Sequence, residues 1–353
     1  MSKINKYIEF SKDNPFGTQS KMLYHTDRIT QYIETGDVFP IFMEINLTDI
    51  CNMKCSWCIA DNRTSNTLNT EILKQFLKDF KDNGGKAVTY TGGGEPTTHK
   101  DFIDIVNYSK GLGLELGLMT NGNYKTEYND VIGRSFRWVR FSVDTVDEEN
   151  YFNWKKSHGL SNVINNIKIL NITDAKVGVN CNVNADMTVD EIKTLIDTTK
   201  DHCTYIQFRP IIPRYFNDEH VNLNAPVWEY LNSLEDKSKI NLSMDKFKDL
   251  QGENELFPFH SCEGHFFSPI LDASGDINVC MYHPNDDRFN FGNVNNSKLM
   301  DIWNGDKRQK VISFLRSQLN YCNECQVCCK LYELNKFIDF IKYPNPTLDI
   351  NFL

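Results

Sequence analysis

Residues 48–62, TDICNMKCSWCIADN, place Cys51, Cys55 and Cys58 within eight positions, with Trp57 beside the last of them. The thiolate is the metal-binding form of cysteine. Four thiolates would close a tetrahedral zinc site; three leave one coordination position open, and an open position is where a metal does chemistry. The stretch follows IFMEINL (41–47), whose Ile41, Met43, Ile45 and Leu47 alternate as one face of a strand. It precedes LNTEILKQFLKDF (68–80), whose Ile72, Leu73, Phe76, Leu77 and Phe80 recur at helical spacing. The cysteines therefore sit on a loop that joins a strand to a helix.

The chain has 353 residues, which predicts two domains or one barrel with an appendage. Its apolar share of 40% and charged share of 24% are those of a folded globular protein. The formal net charge of −9 argues against a nucleic-acid partner and against an anionic membrane surface. No apolar run has the length needed to span a bilayer. The amino terminus, MSKINKYIEFSKDNPFG, lacks the apolar stretch of a signal peptide, so a cytoplasmic location is expected. Thiols stay reduced there, and most of the eleven cysteines read as metal ligands in two clusters rather than as disulfides. Cys181 and Cys203 stand apart in apolar surroundings and read as small buried hydrophobes.

Strands and helices alternate from 41 to 213. After the first strand come KAVTYT, LELGLMT, RWVRFSVD, VGVNCNVN and YIQFRPII, with helical segments at 100–112, 160–170 and 188–200 between them. This pattern predicts a parallel α/β sheet whose right-handed crossovers let it curl toward a barrel. The expected organisation is an N-terminal extension (1–40), the α/β core (41–213), a polar connecting segment (214–256), a second cysteine-bearing region (257–330) and a helical tail (331–353). The strand faces are polar on one side. Arg140, Ser142 and Asp144 oppose Val139, Phe141 and Val143; Asn180, Asn182 and Asn184 oppose Val177, Val179, Cys181 and Val183; Gln207 and Arg209 oppose Ile206 and Phe208. An ordinary barrel fills its interior with branched apolar side chains. Here the apolar faces must meet the helices, so the polar faces line a lumen suited to a polar ligand.

Two further motifs bear on the first cysteines. YTGGGEPTTH follows the second strand; its Gly92, Gly93 and Gly94 let backbone approach a ligand closely, and Glu95 adds a carboxylate suited to an ammonium group. FSVDT ends the fourth strand, with Ser142 and Asp144 on the inward face. With CNMKCSWC, these motifs resemble the radical S-adenosylmethionine (SAM) superfamily over residues 40–213. The resemblance implies a partial (β/α)6 barrel. It implies that Cys51, Cys55 and Cys58 hold three irons of a 4Fe–4S cluster, with SAM chelating the fourth. It further implies that Gly93, Gly94 and Glu95 bind the amino end of SAM, that Ser142 approaches its ribose or carboxylate, and that Trp57 packs near the adenine. Asp144, Asn182 and Arg209, on the same inward faces, complete the expected cofactor-binding set.

Region 257–330 holds Cys262, Cys280, Cys322, Cys325, Cys328 and Cys329. SPILDASGDINVCMY reads as a β-hairpin turning at Ala273-Ser274-Gly275-Asp276. A zinc ribbon would use paired C-x2-C elements, whereas Cys262 and Cys280 are not such a pair. FGNVNNSKLMDIWN followed by CNECQVCC resembles the SPASM/twitch extension of one radical SAM branch. That resemblance implies at least one auxiliary 4Fe–4S cluster, on Cys262, Cys280, Cys322 and Cys325, with Cys328 or Cys329 as a replacement for one of them. The fold expected is thus an α/β partial barrel with a small C-terminal iron–sulfur domain containing a β-hairpin. His260 and His265 flank Cys262 and are expected beside it or at the surface rather than as ligands.

The activity implied is that of a radical SAM oxidoreductase. SAM is cleaved reductively to a 5′-deoxyadenosyl radical, a substrate hydrogen is abstracted, and an electron passes to the auxiliary cluster. A flavodoxin- or ferredoxin-type protein is the expected electron donor. Side-chain amides of the asparagine-rich lumen suit a sugar, aminocyclitol or nucleotide-linked substrate. Maturation of a ribosomally made peptide is the alternative, weakened by the expectation that 40 residues ahead of the first strand are too few for a leader-binding module. A non-enzymatic iron–sulfur or zinc protein is the third reading, and it leaves TGGGEP without a role.

Overall fold

Six strands in sequence order form the centre of the molecule: β1 (Phe42–Asn46), β2 (Ala87–Thr91), β3 (Glu115–Thr120), β4 (Phe136–Ser142), β5 (Lys176–Val183) and β6 (Tyr205–Pro210). Each pairs in parallel with the next. The computed structural model describes residues 18–60, 64–212, 223–253 and 257–344, and for Cys322 it describes the backbone alone. The expected domain boundary at 213–214 falls outside the described residues.

Crossover helices cover the outer face of the sheet. In the helix Thr70–Asp82 the side chains of Leu73, Phe76, Leu77 and Phe80 are buried, the stripe that the sequence spacing required. Asn69 caps this helix by accepting from the backbone N–H of Glu71 and Ile72. The helix Val189–Thr199 starts with a capping box, Thr188 and Glu191 bonding each other's backbone. Each such cap stabilises its helix by ~1 kcal/mol. On the strands, Val139, Phe141, Val177, Val179 and Cys181 are wholly buried against these helices. Cys203 is buried as well. The apolar faces thus meet the helices, as their alternation predicted.

The sheet does not stop at six strands. Among the described residues it has ten, in the order β10-β9-β8-β1-β2-β3-β4-β5-β6-β7. The order is linear, so the barrel is open. β7 (Ile240–Leu242) adds in parallel to β6. This corrects the expectation of a merely polar connection over 214–256, which also carries the helices Ala225–Ser233 and Met244–Gln251. A three-residue strand is too short to show periodicity. It is held by backbone bonds from Ile206 to Lys239 and from Ser243 to Phe208, and the helix Ala225–Ser233 ahead of it buries Val227, Trp228 and Leu231.

At the other edge β8 (Ile270–Leu271) pairs in parallel with β1, Glu44 opposite Ile270 and Ile45 opposite Leu271. β9 (Asp276–Asn278) returns antiparallel to β8, and β10 (Asn290–Asn293) antiparallel to β9. The hairpin predicted around Gly275 is present. Asp272 organises its turn, its Oδ1 accepting from the backbone N–H of Ser274 and Asp276. Gly275 has φ of +92°, a left-handed conformation for which glycine is suited. The second cysteine region is therefore stitched onto the barrel sheet through β1.

Candidate functional site

The cysteine loop leaves β1 and is clamped on two sides. On one side the glycine-rich loop after β2 lies against it: Gly94 N–H donates to the Thr48 carbonyl at 3.0 Å, and Glu95 N–H to the Ile50 carbonyl at 2.9 Å. The fit is too close for any side chain, since a Cβ on Gly94 would stand 2.1 Å from the Ile50 carbonyl oxygen. On the other side the helix Glu148–Lys155 ends against the loop. Lys54 N–H donates to the Lys155 carbonyl at 3.0 Å and Ser56 N–H to the Trp154 carbonyl at 2.9 Å.

Clamped in this way, Cys51, Cys55 and Cys58 stand as neighbours. Burial pushes the Cys55 thiol up to about 11; Lys155 works in the opposite direction, and charges on Cys58 and Cys51 would raise it further. The Asn121 amide nitrogen lies 3.9 Å from the Cys51 sulfur, a donor that the sequence does not signal because the end of β3 and the cysteine loop meet only in the fold. Among the described residues no three His, Cys, Asp or Glu side chains close around a single-ion site. The fit of an iron–sulfur cluster rests instead on the donor set. Three thiols stand on one loop, and Cys55, made reluctant to ionise by burial and by its neighbours, needs a cationic partner to be a thiolate; iron is bound by cysteine thiolates.

The remaining expected cofactor residues divide into two groups. Trp57 and Gly93 line a cavity of about 750 Å³, together with Asn182 and Arg209. The Trp57 indole also packs against Trp154, with ring centroids 5.6 Å apart. Gly94 lies under the cysteine loop rather than on the cavity wall. Glu95 is buried, and its carboxylate is fully engaged. Oε1 accepts from the hydroxyls of Thr97 (2.8 Å) and Thr120 (2.7 Å), and Oε2 from the backbone N–H of Asn121 (2.7 Å). Burial raises its pKa while these donors pull it back down. Glu95 thus fixes the ends of β2 and β3 beside the cysteine loop. Asp144 is likewise engaged, ion-paired to Lys155 and accepting from the Asn182 backbone N–H at 2.7 Å. Ser142 is half-buried at the end of β4 and lies off the cavity wall.

The cavity runs from the glycine-rich loop to the second cysteine region. Its wall there is formed by Cys280, Met281 and Tyr282 after β9, by Lys246, and by Lys330. The Lys330 ammonium is ion-paired with Glu44 of β1. Behind this wall four thiols are gathered. The Cys262 thiol is raised well above its ordinary value by burial first, then by Cys329, Cys280 and Cys325. Burial takes Cys329 up to about 12, with Cys280 adding to it. The Asn335 amide nitrogen lies 3.7 Å from the Cys262 sulfur. Cys328 faces elsewhere: its thiol donates to the Lys246 carbonyl, and its electrostatic neighbours are Lys246, Asp249 and Arg209. Adjacent residues point different ways, so of the pair left open at 328 and 329 it is Cys329 that joins the group. Cys322 lies in the short helix Tyr321–Glu324, and its side chain is outside the described residues. His260 is at the surface, paired with Asp339 at 2.8 Å, and His265 is buried against Phe266 and Phe291 with neither ring nitrogen hydrogen-bonded among the described residues.

Comparison with known proteins agrees with this architecture. Residues 45–204 match the model of the radical SAM superfamily, and residues 262–329 match that of an iron–sulfur cluster-binding domain, SPASM. Among curated relatives, molybdenum cofactor biosynthesis protein 1 of Drosophila melanogaster is 23% identical over 270 residues, 68% of this chain and 46% of that protein. The GTP 3′,8-cyclase of Actinobacillus pleuropneumoniae is 24% identical over 192 residues, 52% of this chain and 56% of the enzyme. The chain spans about half the length of these two relatives. Among solved structures, Streptococcus suis SuiB bound to precursor peptide SuiA superimposes with a TM-score of 0.64 at 20% identity, covering 98% of this chain and 82% of SuiB. Native anSMEcpe with bound AdoMet and the Cp18Cys peptide gives 0.60 at 14% identity, covering 84% and 88%. At these identities the structural likeness is one of fold. No helix among the described residues is long and apolar enough to cross a membrane.

Proposed function

The chain belongs to the radical SAM superfamily and carries a SPASM iron–sulfur cluster-binding domain, and from that premise we propose that it is an oxidoreductase acting on a small polar substrate. The observation that carries this reading is a cavity that reaches from the first cysteine loop to the second cysteine region. Its 750 Å³ falls within the roughly 300–1,000 Å³ of small-molecule sites. A sugar, aminocyclitol or nucleotide-linked substrate suits its polar wall.

Cys51, Cys55 and Cys58 would hold a 4Fe–4S cluster with one iron open to SAM, and this pair supplies hydrogen-atom abstraction when bound. The protein's own part is to orient and to exclude water. The Gly92–Gly93 backbone and the Trp57 ring offer a cradle for SAM beside the cysteine loop. Glu95 keeps that cradle rigid by tying the ends of β2 and β3. Cys262, Cys280, Cys325 and Cys329 would hold the auxiliary cluster behind the opposite wall, where it can take an electron from a substrate lying between. A flavodoxin- or ferredoxin-type protein would supply electrons from outside.

A second reading, maturation of a peptide, is favoured by the superposition on SuiB and anSMEcpe, both solved with peptides bound. The test is anaerobic reconstitution followed by deoxyadenosine release with dithionite. Replacement of Cys51, Cys55 and Cys58 by Ala abolishes release. Cys280→Ala, shown first to keep its secondary structure, still cleaves SAM yet forms no oxidised product. Full turnover by the Cys280 variant would refute the electron-acceptor role. Turnover of peptides but of no small polar compound would select the second reading.

A further inference from the structure

The cavity wall carries two cations that pair with none of the wall's own carboxylates among the described residues, and Asp249, on the same helix as Lys246, only partly offsets the lowering of its pKa. Arg209, at the end of β6, and Lys246, on the helix Met244–Gln251, both line it. Among the described residues neither forms an ion pair. The cavity's own carboxylates are committed elsewhere: Glu44 to Lys330, Asp49 to the Thr64 hydroxyl at 2.6 Å, and Asp272 to the hairpin turn. Arg209 and Lys246 are also close enough to repel each other. Burial lowers both pKa values, that of Lys246 to about 7; Arg209 adds to the lowering of Lys246, and Arg140 to that of Arg209. Arg140, a third cation on the wall, is held by the Tyr205 hydroxyl at 3.2 Å. Placing like charges together in a half-buried wall is unfavourable unless an anion completes the set.

We propose that Arg209 and Lys246 form an anion subsite at the auxiliary-cluster end of the cavity, and that the anion is a phosphoryl group carried by the substrate. This rests on the small-molecule reading above and narrows it to a phosphorylated or nucleotide-linked compound. Charge favours phosphoryl over carboxylate. The ≈ −1.5 to −2 of a phosphomonoester at neutral pH would hold Lys246 protonated beside Arg209 and match the pair, whereas the single charge of a carboxylate falls short of it. Side-chain chemistry agrees, because a guanidinium fork takes two phosphate oxygens at once while an ammonium acts as a point charge on a third. Such a subsite would fix one end of the substrate beside Tyr282 and Cys280 and leave the rest extended toward Trp57 and Gly93.

The experiment is isothermal titration of the anaerobically reconstituted protein with inorganic phosphate, pyrophosphate and acetate, run beside the deoxyadenosine assay on the same preparation. The expected result is one phosphate or pyrophosphate per chain, weakened by added KCl, with acetate at least tenfold weaker. Arg209→Gln and Lys246→Met each weaken phosphate binding tenfold or more, and Arg209→Lys, which keeps the charge, falls between them and wild type. Absence of saturable binding to wild type, or binding that both neutral variants retain, overturns the subsite. Equal binding of acetate overturns the phosphoryl assignment. Should the neutral variants shift the auxiliary cluster's midpoint potential while wild type binds no phosphate, the cations serve the cluster and the proposal falls. Deoxyadenosine release in a protein that fails to bind phosphate leaves the radical SAM reading standing and removes the subsite alone; no release removes the broader reading whatever the titration shows.

Discussion

Asp144 and Lys155 are ion-paired with their side chains 0% and 5% exposed, and the same ammonium lies 5.5 Å from the centre of the Trp57 ring. A pair so fully removed from water is held by what surrounds it. Asp144 Oδ1 accepts from the backbone and side-chain nitrogens of Asn182 at 2.7 and 3.2 Å. Burial disfavours the charge on Lys155, but Asp144 and Cys55 outweigh it, so the ammonium is held above its ordinary range. The pair therefore connects β5 to the cysteine loop, and it places a positive charge next to Cys55 on that loop.

Removing one partner should leave the other charged and stranded. Lys155→Met is expected to cost about 3–5 kcal/mol, the usual penalty for breaking a buried pair. The double variant Lys155→Met/Asp144→Asn should recover most of it. Urea denaturation of wild type, the single variant and the double variant measures both values; a single variant within about 1 kcal/mol of wild type, on the order of an exposed pair, would show that the pair is wetter than its burial indicates.

Cys328 and Cys329 should separate cleanly in metal content. Two four-iron clusters amount to on the order of eight irons per chain after reconstitution. Cys329→Ser should lose about half of that iron, whereas Cys328→Ser should keep it, because the Cys328 thiol faces the Lys246 carbonyl. Iron analysis with electron paramagnetic resonance of the reduced proteins decides it; the reverse outcome would reassign the ligand, and about twelve irons in wild type would require a third cluster.

Gly94→Ala should damage SAM binding without touching any SAM-facing side chain. Its Cβ would lie 2.1 Å from the Ile50 carbonyl oxygen and 2.5 Å from the Asp49 carbonyl carbon, both backbone atoms that cannot swing aside. The two loops must then part, and SAM affinity is expected to fall at least tenfold, about 1.4 kcal/mol. Equilibrium binding of SAM to the reconstituted variant checks this, and unchanged affinity would mean that the cradle does not depend on the close approach.

His265 should make stability depend on pH. Both ring nitrogens are buried without a partner, and burial pushes the pKa down to about 3. Above pH ~6.5 the ring is neutral whether the chain is folded or not. Below it the unfolded chain takes up a proton that the folded ring refuses until about pH 3, so stability declines as the solution is acidified. The slope approaches ~1.4 kcal/mol per pH unit. His265→Leu removes this contribution, so the gap in denaturation midpoint between wild type and variant should move in the variant's favour from pH 7.5 to 5.5; a constant gap would show that the ring is hydrated or protonated in the fold.

The parts of the fold that were legible in the sequence are those with a long period. Apolar alternation in β4 and β5 and the stripe in Thr70–Asp82 each bury as their spacing required, because one face of each element meets a continuous core. The hairpin was legible from its turn, Ala273-Ser274-Gly275-Asp276, whereas the part Asp272 plays in holding that turn was not. The three-residue β7 and the two-residue β8 were not legible as partners of β6 and β1, since strands that short carry no period and are defined by the edges they find. At the site, the cysteines were visible as a spacing, while the direction of each thiol was not. That Cys329 turns inward and Cys328 toward Lys246 depends on backbone course through CNECQVCC, and Lys246 itself lay in a stretch that reads only as polar. Glu95 was singled out for the right loop, but its bonds to Thr97, Thr120 and Asn121 depend on strand ends that come together only in three dimensions.

The pairing of β8 with β1 has a consequence for biogenesis. β1 leaves the ribosome ahead of β2, yet its neighbour on the other side, β8, arrives only after the whole α/β core has been made. Until then β1 presents a bare edge, with unpaired backbone groups of the kind that invite pairing with another chain. Loop closure over so long a separation is slow. The late segment that delivers β8 also delivers the second set of cysteines, so iron–sulfur insertion there and the sealing of the sheet edge are timed together. A cell short of iron–sulfur assembly capacity would then accumulate chains whose first strand stays open, and aggregation rather than mere inactivity would be how that shortage is felt.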